Sequence, residues 1–340
     1  MSDFVEGQIG SPEVYEEPKT TRVKEPREEP RERRRSNVGP YKLEDRIDGG
    51  KAECWMCTDT RDGSKRFLKK FPSPKMPSEE ERAFDRVAYD IQVAHCDAFL
   101  VHHQSIARDL TNERIGNGSL VQPTDAFWHD SSFFKIYPFI ADLSPLNAKI
   151  VSDWDPKRRV LAIRGMLLAL RELHDNEIVH ADIKIENIHL IKVASGSVAR
   201  LIDFDDSYRA RTPPPPRDLG GTEDFYSPEV YVYKGFLPPP KGFATSPFPL
   251  VLGTHSDLFS LSLAIHETFS LEGRKPRWSS AEKEACENAL AGGEVEYESL
   301  GTGKPLLEYR LGRCLQLNPT ERPRISELLS ACGTNLGRAI

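Results

Sequence analysis

Four side chains have the types and spacing that phosphoryl transfer requires. Asp182, Lys184 and Asn187 lie in Val179-His180-Ala181-Asp182-Ile183-Lys184-Ile185-Glu186-Asn187-Ile188, and Asp203 lies in Leu201-Ile202-Asp203-Phe204-Asp205. Such chemistry needs a carboxylate to orient an attacking hydroxyl and accept its proton, and a lysine near the moving γ-phosphoryl. It also needs an amide and a second carboxylate to hold Mg²⁺. A short loop and the β-hairpin after it would bring the four together. A polar loop between two strands is the ordinary alternative. Each fragment alone is common, but their joint spacing is not.

The order H-x-D-x-K-x-x-x-N, with D-F-x one hairpin later, resembles the catalytic and metal loops of eukaryotic-type (Hanks-type) Ser/Thr protein kinases. The resemblance implies that Asp182 is the catalytic carboxylate and Lys184 a catalytic phosphate contact. Asn187 and Asp203 become Mg²⁺ ligands that help bind the nucleotide. ATP and Mg²⁺ are then the cofactors, and protein hydroxyls the substrates. Ala181 replaces the arginine of many members, a non-RD pattern, so a phosphate on Thr212 lacks its usual receptor. Arg209 and Arg211 are the remaining candidates for that role. Asp205 replaces the metal-loop glycine.

These residues need a second layer of chain above them. Tyr41-Lys42-Leu43, the stretch from Ile47 to Cys57, and Arg66 to Phe71 read as three strands, with a turn at Arg61-Asp62-Gly63-Ser64. Laid on the family's G-x-G-x-x-G-x-V loop, the glycine positions read Asp48, Gly50 and Glu53, with Trp55 at the valine. The loop is degenerate, and Gly50 is its one matching nucleotide-binding glycine. Strand alternation puts Phe67, Lys69 and Phe71 on one face, so Lys69 is expected to grip the α/β-phosphates, with Lys70 as the fallback. A helical pattern runs from about Glu79 to Leu110, with Val87, Ile91, Ala94, Ala98, Val101 and Leu110 at apolar positions. It occupies the place of the family's C helix but offers no plain glutamate to Lys69. Asp97 and Asp109 are the acidic candidates. Leu120-Val121-Gln122-Pro123 and Ser132 to Tyr137 read as the last strands of this lobe, with Pro138-Phe139-Ile140 as the hinge.

Asp155-Pro156 opens a helix whose Val160, Ile163, Leu167, Leu170 and Leu173 are expected to be core beneath the catalytic loop. Gly221-Thr222 through Ser227-Pro228-Glu229 resembles the end of an activation segment, with Thr222 bonding the catalytic aspartate. His255 to Ser262 is similar to the family's F-helix motif, which implies that Asp257 accepts backbone N–H groups of the catalytic loop, and the resemblance likewise implies that Arg322 pairs with Glu229. Pro213 to Pro216 suggest an extended strut, and residues 235–254 an irregular insertion.

The chain has 340 residues, 38% of them hydrophobic, and a formal net charge of −6. That balance does not suggest a nucleic-acid binder, and no apolar run is long enough for a membrane. Residues 1–39 mix charges and prolines with little apolar periodicity, and are expected to form a disordered tail. A kinase domain is expected over 40–333, with the small lobe at 40–138 and the large lobe at 139–333, and a short tail at 334–340. The N-terminal tail and the Pro-rich segments are candidate docking segments for partners. No leader is readable, and six scattered cysteines point to a cytoplasmic setting. Cys54-x-x-Cys57 is the one close pair, and alternation on a strand disfavours joint metal ligation there.

The fold class expected is α+β, a two-lobed protein kinase-like fold with a β-rich small lobe and a helical large lobe. The function expected is Mg-dependent Ser/Thr protein kinase. A pseudokinase serving as a nucleotide-binding or scaffold module is the alternative, and a small-molecule phosphotransferase is the third reading.

Overall fold

Alternating buried and exposed side chains from Asn37 onward build one antiparallel sheet. It is seen in a computed structural model that describes residues 37–47, 52–111, 119–141, 143–193, 196–236, 238, 252–271, 276–278 and 295–333. Its strands are β1 (Asn37–Val38), β2 (Tyr41–Ile47), β3 (Glu53–Asp59), β4 (Lys65–Lys70), β5 (Asp125–His129) and β6 (Ser132–Pro138), in the order β1-β2-β3-β4-β6-β5. Leu68, Phe134 and Ile136 point to one face, where they pack with Val38, Tyr41 and Cys57. The opposite face carries Phe133 and Phe71, which meet Phe99 and Leu100 of a long helix.

Three expectations for this lobe are corrected. Strand β1 already occupies Asn37–Val38, with Val38 buried, so the domain starts before residue 40. Residues 120–123 are not a sheet strand. Val121 N–H donates to Leu201 O at 2.9 Å and Leu201 N–H to Ser119 O at 3.0 Å, which ties this stretch to the other lobe. The sheet strand instead begins at Asp125, past Pro123, which has no N–H to offer a ladder.

The expected helix from Glu79 is two helices, α1 (Glu79–Phe84) and α2 (Arg86–Leu110). Asp85 ends the first and caps the second, its side chain accepting Ala88 N–H at 3.0 Å. Burial along α2 is one-sided. Val87, Ile91 and Val101 are 70%, 66% and 64% exposed, while Cys96, His103, Ile106 and Leu110 are buried. Periodicity marks an apolar face but does not say what covers it.

The second lobe is helical, with short strands around its loops. β7 (Leu143–Pro145) and α3 (Ala148–Ser152) lead to α4 (Pro156–Asp175), which Asp155 caps by accepting Arg158 N–H at 2.9 Å. β8 (Ile178–Val179) precedes the catalytic-loop sequence, and β9 (Ile188–Val193) and β10 (Gly196–Leu201) form the hairpin after it. β11 (Tyr208–Arg209) pairs with β8. There follow α5 (Pro228–Tyr233), α6 (Thr254–Phe269), a pair of two-residue strands β12 (Arg277–Trp278) and β13 (Val295–Glu296), α7 (Pro305–Arg313) and α8 (Ile325–Cys332).

Helix α6 is buried nearly all round, as a central helix must be. It packs Leu261, Ile265 and Phe269 into the core that holds Ile163, Leu167, Leu170 and Leu173 of α4. Arg159 stitches this core from within. Its guanidinium donates to the carbonyls of Trp154, Phe269, Leu300, Val151 and Ser152. The expected tail at 334–340, and most of the expected insertion at 235–254, lie outside the described residues.

Candidate active site

The loop between β8 and β9 is fixed from below by a buried carboxylate. Asp257, on the first turn of α6, accepts His180 N–H at 2.8 Å and Ala181 N–H at 3.0 Å. His174 Nε2 adds a third donor at 3.0 Å. A carboxylate taken out of water is tolerable only when satisfied in this way. The clamp matters because Ala181 has φ +67°, a conformation that costs a non-glycine residue about 1–3 kcal/mol. His180 donates through Nε2 to Ile202 O at 3.1 Å and accepts Asp182 N–H on Nδ1 at 3.3 Å, so one ring joins the loop to the strand that delivers Asp203.

Above the clamp, Asp182 collects three donors. Thr222 O–H reaches Oδ1 at 2.7 Å, and Lys184 Nζ and Asn187 Nδ2 reach Oδ2 at 2.7 and 2.9 Å. Lys184 Nζ also donates to Thr222 Oγ1 at 2.8 Å. Asn187 stands on a 3₁₀ turn, Ile185–Asn187, and donates as well to Asp182 O at 2.8 Å. An ionised carboxylate has about four acceptor positions, so these donors leave room for one incoming hydroxyl. Gly221, at φ +105°, lets the segment pass close to Ala181, where a Cβ would lie 2.6 Å from the Ala181 carbonyl oxygen. Its N–H donates to Asp206 Oδ2 at 2.9 Å. The Asp206 carboxyl is pushed up by burial and then by neighbouring Asp182 and Asp205.

Asp203, at φ +65°, faces the sheet of the other lobe. Lys69 Nζ on β4 donates to its two oxygens at 2.8 and 2.9 Å. The same ammonium lies 2.5 Å from Asp205 Oδ2. Lys135 Nζ, on the neighbouring strand β6, lies 2.6 Å from Asp205 Oδ1. Burial pushes the Asp205 carboxyl up, but Lys135 and Lys69 overcome it and hold the group well below the usual carboxylate range. Burial and the adjacent Asp205 raise Asp203 instead, against the pull of Lys69.

The structure thus brings Asp182, Lys184, Asn187, Asp203 and Lys69 to one place. Gly50 lies outside the described residues, as do Asp48 and Gly49. Lys70, the fallback for Lys69, points elsewhere and pairs with Glu53 at 3.5 Å. The acidic candidates on α2 are corrected. Asp97 is exposed, and Asp109 pairs with Arg209. Lys135 and the pairing role of Asp205 were missed. The signal for Lys135 was a lone lysine inside the apolar run Phe133 to Tyr137, where alternation puts it on the face of Phe133.

Around the site, Thr222, Asp257, Glu229 and Arg322 have the partners expected of them. Arg322 forms a two-pronged pair with Glu229, both contacts at 2.7 Å and both side chains fully buried. Pro213–Pro216 pass over α5, where Tyr233 O–H donates to Pro214 O at 2.9 Å and Lys234 Nζ to Pro216 O at 3.4 Å. Cys54 and Cys57 are buried free thiols, both raised by burial, Cys57 to about 11. Among the described residues no group of three or more His, Cys, Asp or Glu is placed to hold a metal ion.

Comparison with known proteins agrees with this geometry. The family model described as protein kinase domain matches residues 141–331. Human mitogen-activated protein kinase kinase kinase 5 is 28% identical over 233 residues, which are 67% of this chain and 15% of that protein. Death-associated protein kinase dapk-1 of Caenorhabditis elegans is 40% identical over 76 residues, 22% of this chain and 5% of that protein. A protein named as a serine/threonine-protein kinase in Acanthamoeba polyphaga mimivirus is 26% identical over 236 residues, 66% of this chain and 77% of its own length. The chain therefore spans only a small part of the first relatives it matches. With the matched residues running through the loop that gathers Asp182, Asn187 and Asp203, this chain belongs to the protein kinase domain family.

Proposed function

We propose that the protein is an ATP- and Mg²⁺-dependent Ser/Thr protein kinase. The observation that carries this reading is the set of three donors on Asp182, which leaves one acceptor position on the carboxylate for a substrate hydroxyl. In that role Asp182 orients the hydroxyl and receives its proton as the oxygen attacks. Lys184, between Asp182 and Thr222, offers positive charge to the transferring group. Thr222 shares the same carboxylate and the same lysine, so it fixes the substrate-binding segment to the catalytic loop.

The donor chemistry fits the cofactor. Asp203 and Asn187 supply oxygen atoms to a hard cation that takes its other ligands from phosphates and water. When bound, Mg·ATP supplies the γ-phosphoryl group and the charge neutralisation for its transfer. Lys69 would grip the α/β-phosphates, and Gly50 would belong to the loop above them. Protein substrates follow from the Thr222 arrangement. The domain limits we propose are residues 37–333, with lobes meeting near residue 138.

The bonds from Tyr233 and Lys234 favour a strut over an exposed docking ligand for Pro213–Pro216. No helix among the described residues is long and apolar enough to cross a membrane. The five described cysteines are free thiols, which supports a cytoplasmic setting.

One observation favours a second reading, a nucleotide-binding module without turnover. Lys69 is shared between Asp203 and Asp205, and helix α2 gives it no carboxylate. Calorimetric titration with Mg·ATP, followed by transfer of labelled phosphate to a Ser/Thr peptide library, separates the two. Binding with transfer is the expected result. Binding without transfer supports the module, and no binding removes both.

A further inference from the structure

The two lysines and two aspartates in the cleft form a closed set. Lys69 and Lys135 are direct cross-strand partners on β4 and β6, and alternation turns both toward Asp203 and Asp205. Lys135 is only 2% exposed. An ammonium so deeply buried would cost several kcal/mol without a partner of opposite charge. Asp205 supplies it through one oxygen and gives the other to Lys69, so a single carboxylate bridges two strands. Tyr137 O–H also reaches Asp205 Oδ1, at 3.4 Å.

Helix α2 takes no part in this charge pairing. Its acidic residues are Asp90, Asp97 and Asp109. Asp90 lies 3.8 Å from Arg86 on the exposed side, Asp97 is exposed, and Asp109 pairs with Arg209. The helix docks by other means. His102 Nε2 donates to Ser207 O at 3.0 Å, and His103 packs among Phe71, Phe99 and Phe133 with neither ring nitrogen hydrogen-bonded. His103 is nonetheless near enough to feel the charges of Lys135, Asp205 and Lys69. It marks the place from which α2 could reach them.

We propose that Asp205, anchored by Lys135, is the positioning carboxylate that presents Lys69 to the nucleotide phosphates, in place of an acidic residue on helix α2. The inference rests on the ATP-binding reading above. Its consequence is that the orientation of Lys69 is set within the sheet and the segment after Asp203. A shift of α2 would leave it intact. A residue that is only part of the packing would affect every ligand of the cleft equally. A residue that positions Lys69 affects the phosphates alone.

The experiment is therefore a comparison of ATP and adenosine affinity, measured calorimetrically on the full chain with and without Mg²⁺. Asp205→Asn should raise the Kd for ATP about tenfold, the order of one charge-assisted contact, and leave adenosine affinity within about twofold. In the active enzyme the same variant should raise the KM for ATP more than it lowers kcat.

Asp205→Asn leaves Lys135 unpaired and can fail to fold. The double variant Lys135→Met/Asp205→Asn removes both charges together, and should show the same ATP-specific loss. Adding His103→Glu to Asp205→Asn returns a carboxylate from the α2 side, and should recover most of the ATP affinity. Asp97→Asn should change nothing. Unchanged ATP affinity in both Asp205 variants would overturn the proposal. So would an equal loss for ATP and adenosine. A wild-type protein that binds neither ligand would remove the ATP-binding reading itself, and this inference with it.

Discussion

The two sides of the cleft are built on different principles. On the large-lobe side, Asp182 and its neighbours rest on hydrogen bonds made almost wholly within one lobe. Asp257 holds the backbone of the loop, His180 ties it to Ile202, and Glu229 and Arg322 hold the segment behind it. The buried Asp257 and Glu229 there each take several donors from their own lobe. On the small-lobe side Lys69 has no carboxylate partner within its own lobe among the described residues, and takes two from the Asp203–Asp205 segment. One side is preorganised by its own core. The other is organised by what crosses the cleft. The family match falls on the first side, over residues 141–331.

The largest effect expected of this contrast is on stability. Arg322→Ala leaves Glu229 charged in a fully buried site, and should cost about 3–5 kcal/mol in denaturant unfolding. A loss below about 1 kcal/mol would mean that the pair is dispensable, and that the large-lobe side is no better anchored than the other.

A pH effect comes next. Burial holds the His266 imidazole down to about 4, with Glu308 opposing it. The unfolded chain takes up that proton near pH 6.5 and the folded chain only near 4, so the contribution is complete above 6.5. It is lost progressively as pH falls through that window, by up to about 3 kcal/mol. His266→Phe, which keeps a ring against Tyr297, should show a flatter fall between pH 6.5 and 4. Equal slopes in the two proteins would contradict the assignment.

Thr222→Ala removes a hydroxyl shared by Asp182 and Lys184. It should lower kcat/KM for peptide about tenfold, with ATP affinity unchanged, as one lost hydrogen bond to a charged group implies. A fall in ATP affinity instead would move Thr222 from the substrate side to the nucleotide side.

The smallest effect should be at Thr212. Ala181 offers no charge, Arg209 is engaged by Asp109, and Arg211 by Glu177 at 2.6 Å. Thr212→Ala and phosphatase treatment should each change turnover less than about twofold, within the range of an exposed substitution. Loss of activity on dephosphorylation, with the phosphate mapped between Asp206 and Thr222, would show that one of those arginines changes partner.

The same contrast explains what the sequence could disclose. Asp182, Lys184 and Asn187 are fixed in one loop, so their spacing carries the arrangement, whereas the partners of Thr222, Glu229, Asp257 and Arg322 are legible only through the family resemblance of their segments. Lys135 and Asp205 lie 70 residues apart, and their meeting depends on which strands become neighbours in the sheet. Alternation along Phe133 to Tyr137 exposes the oddity of Lys135 but not its partner. The stripe Val87, Ile91, Val101 is exposed, and its period could not say so, for a related reason. A helical period identifies an apolar face, whereas the core of this lobe receives Phe99, Leu100 and His103 from another side of the same helix. The break falls at Asp85, a residue type suited to a cap, whose carboxylate accepts the N–H of Ala88, the third residue of the next helix.

The central claim is that Asp182 acts on the substrate hydroxyl in a site assembled for phosphoryl transfer. Single-turnover transfer from labelled ATP to peptide, in wild type and Asp182→Asn at saturating Mg·ATP, tests it most directly. The account expects the variant to bind ATP within about twofold of wild type and to transfer about 10²–10⁴ times more slowly, the range for loss of a general base. Equal transfer rates in the two proteins would contradict it.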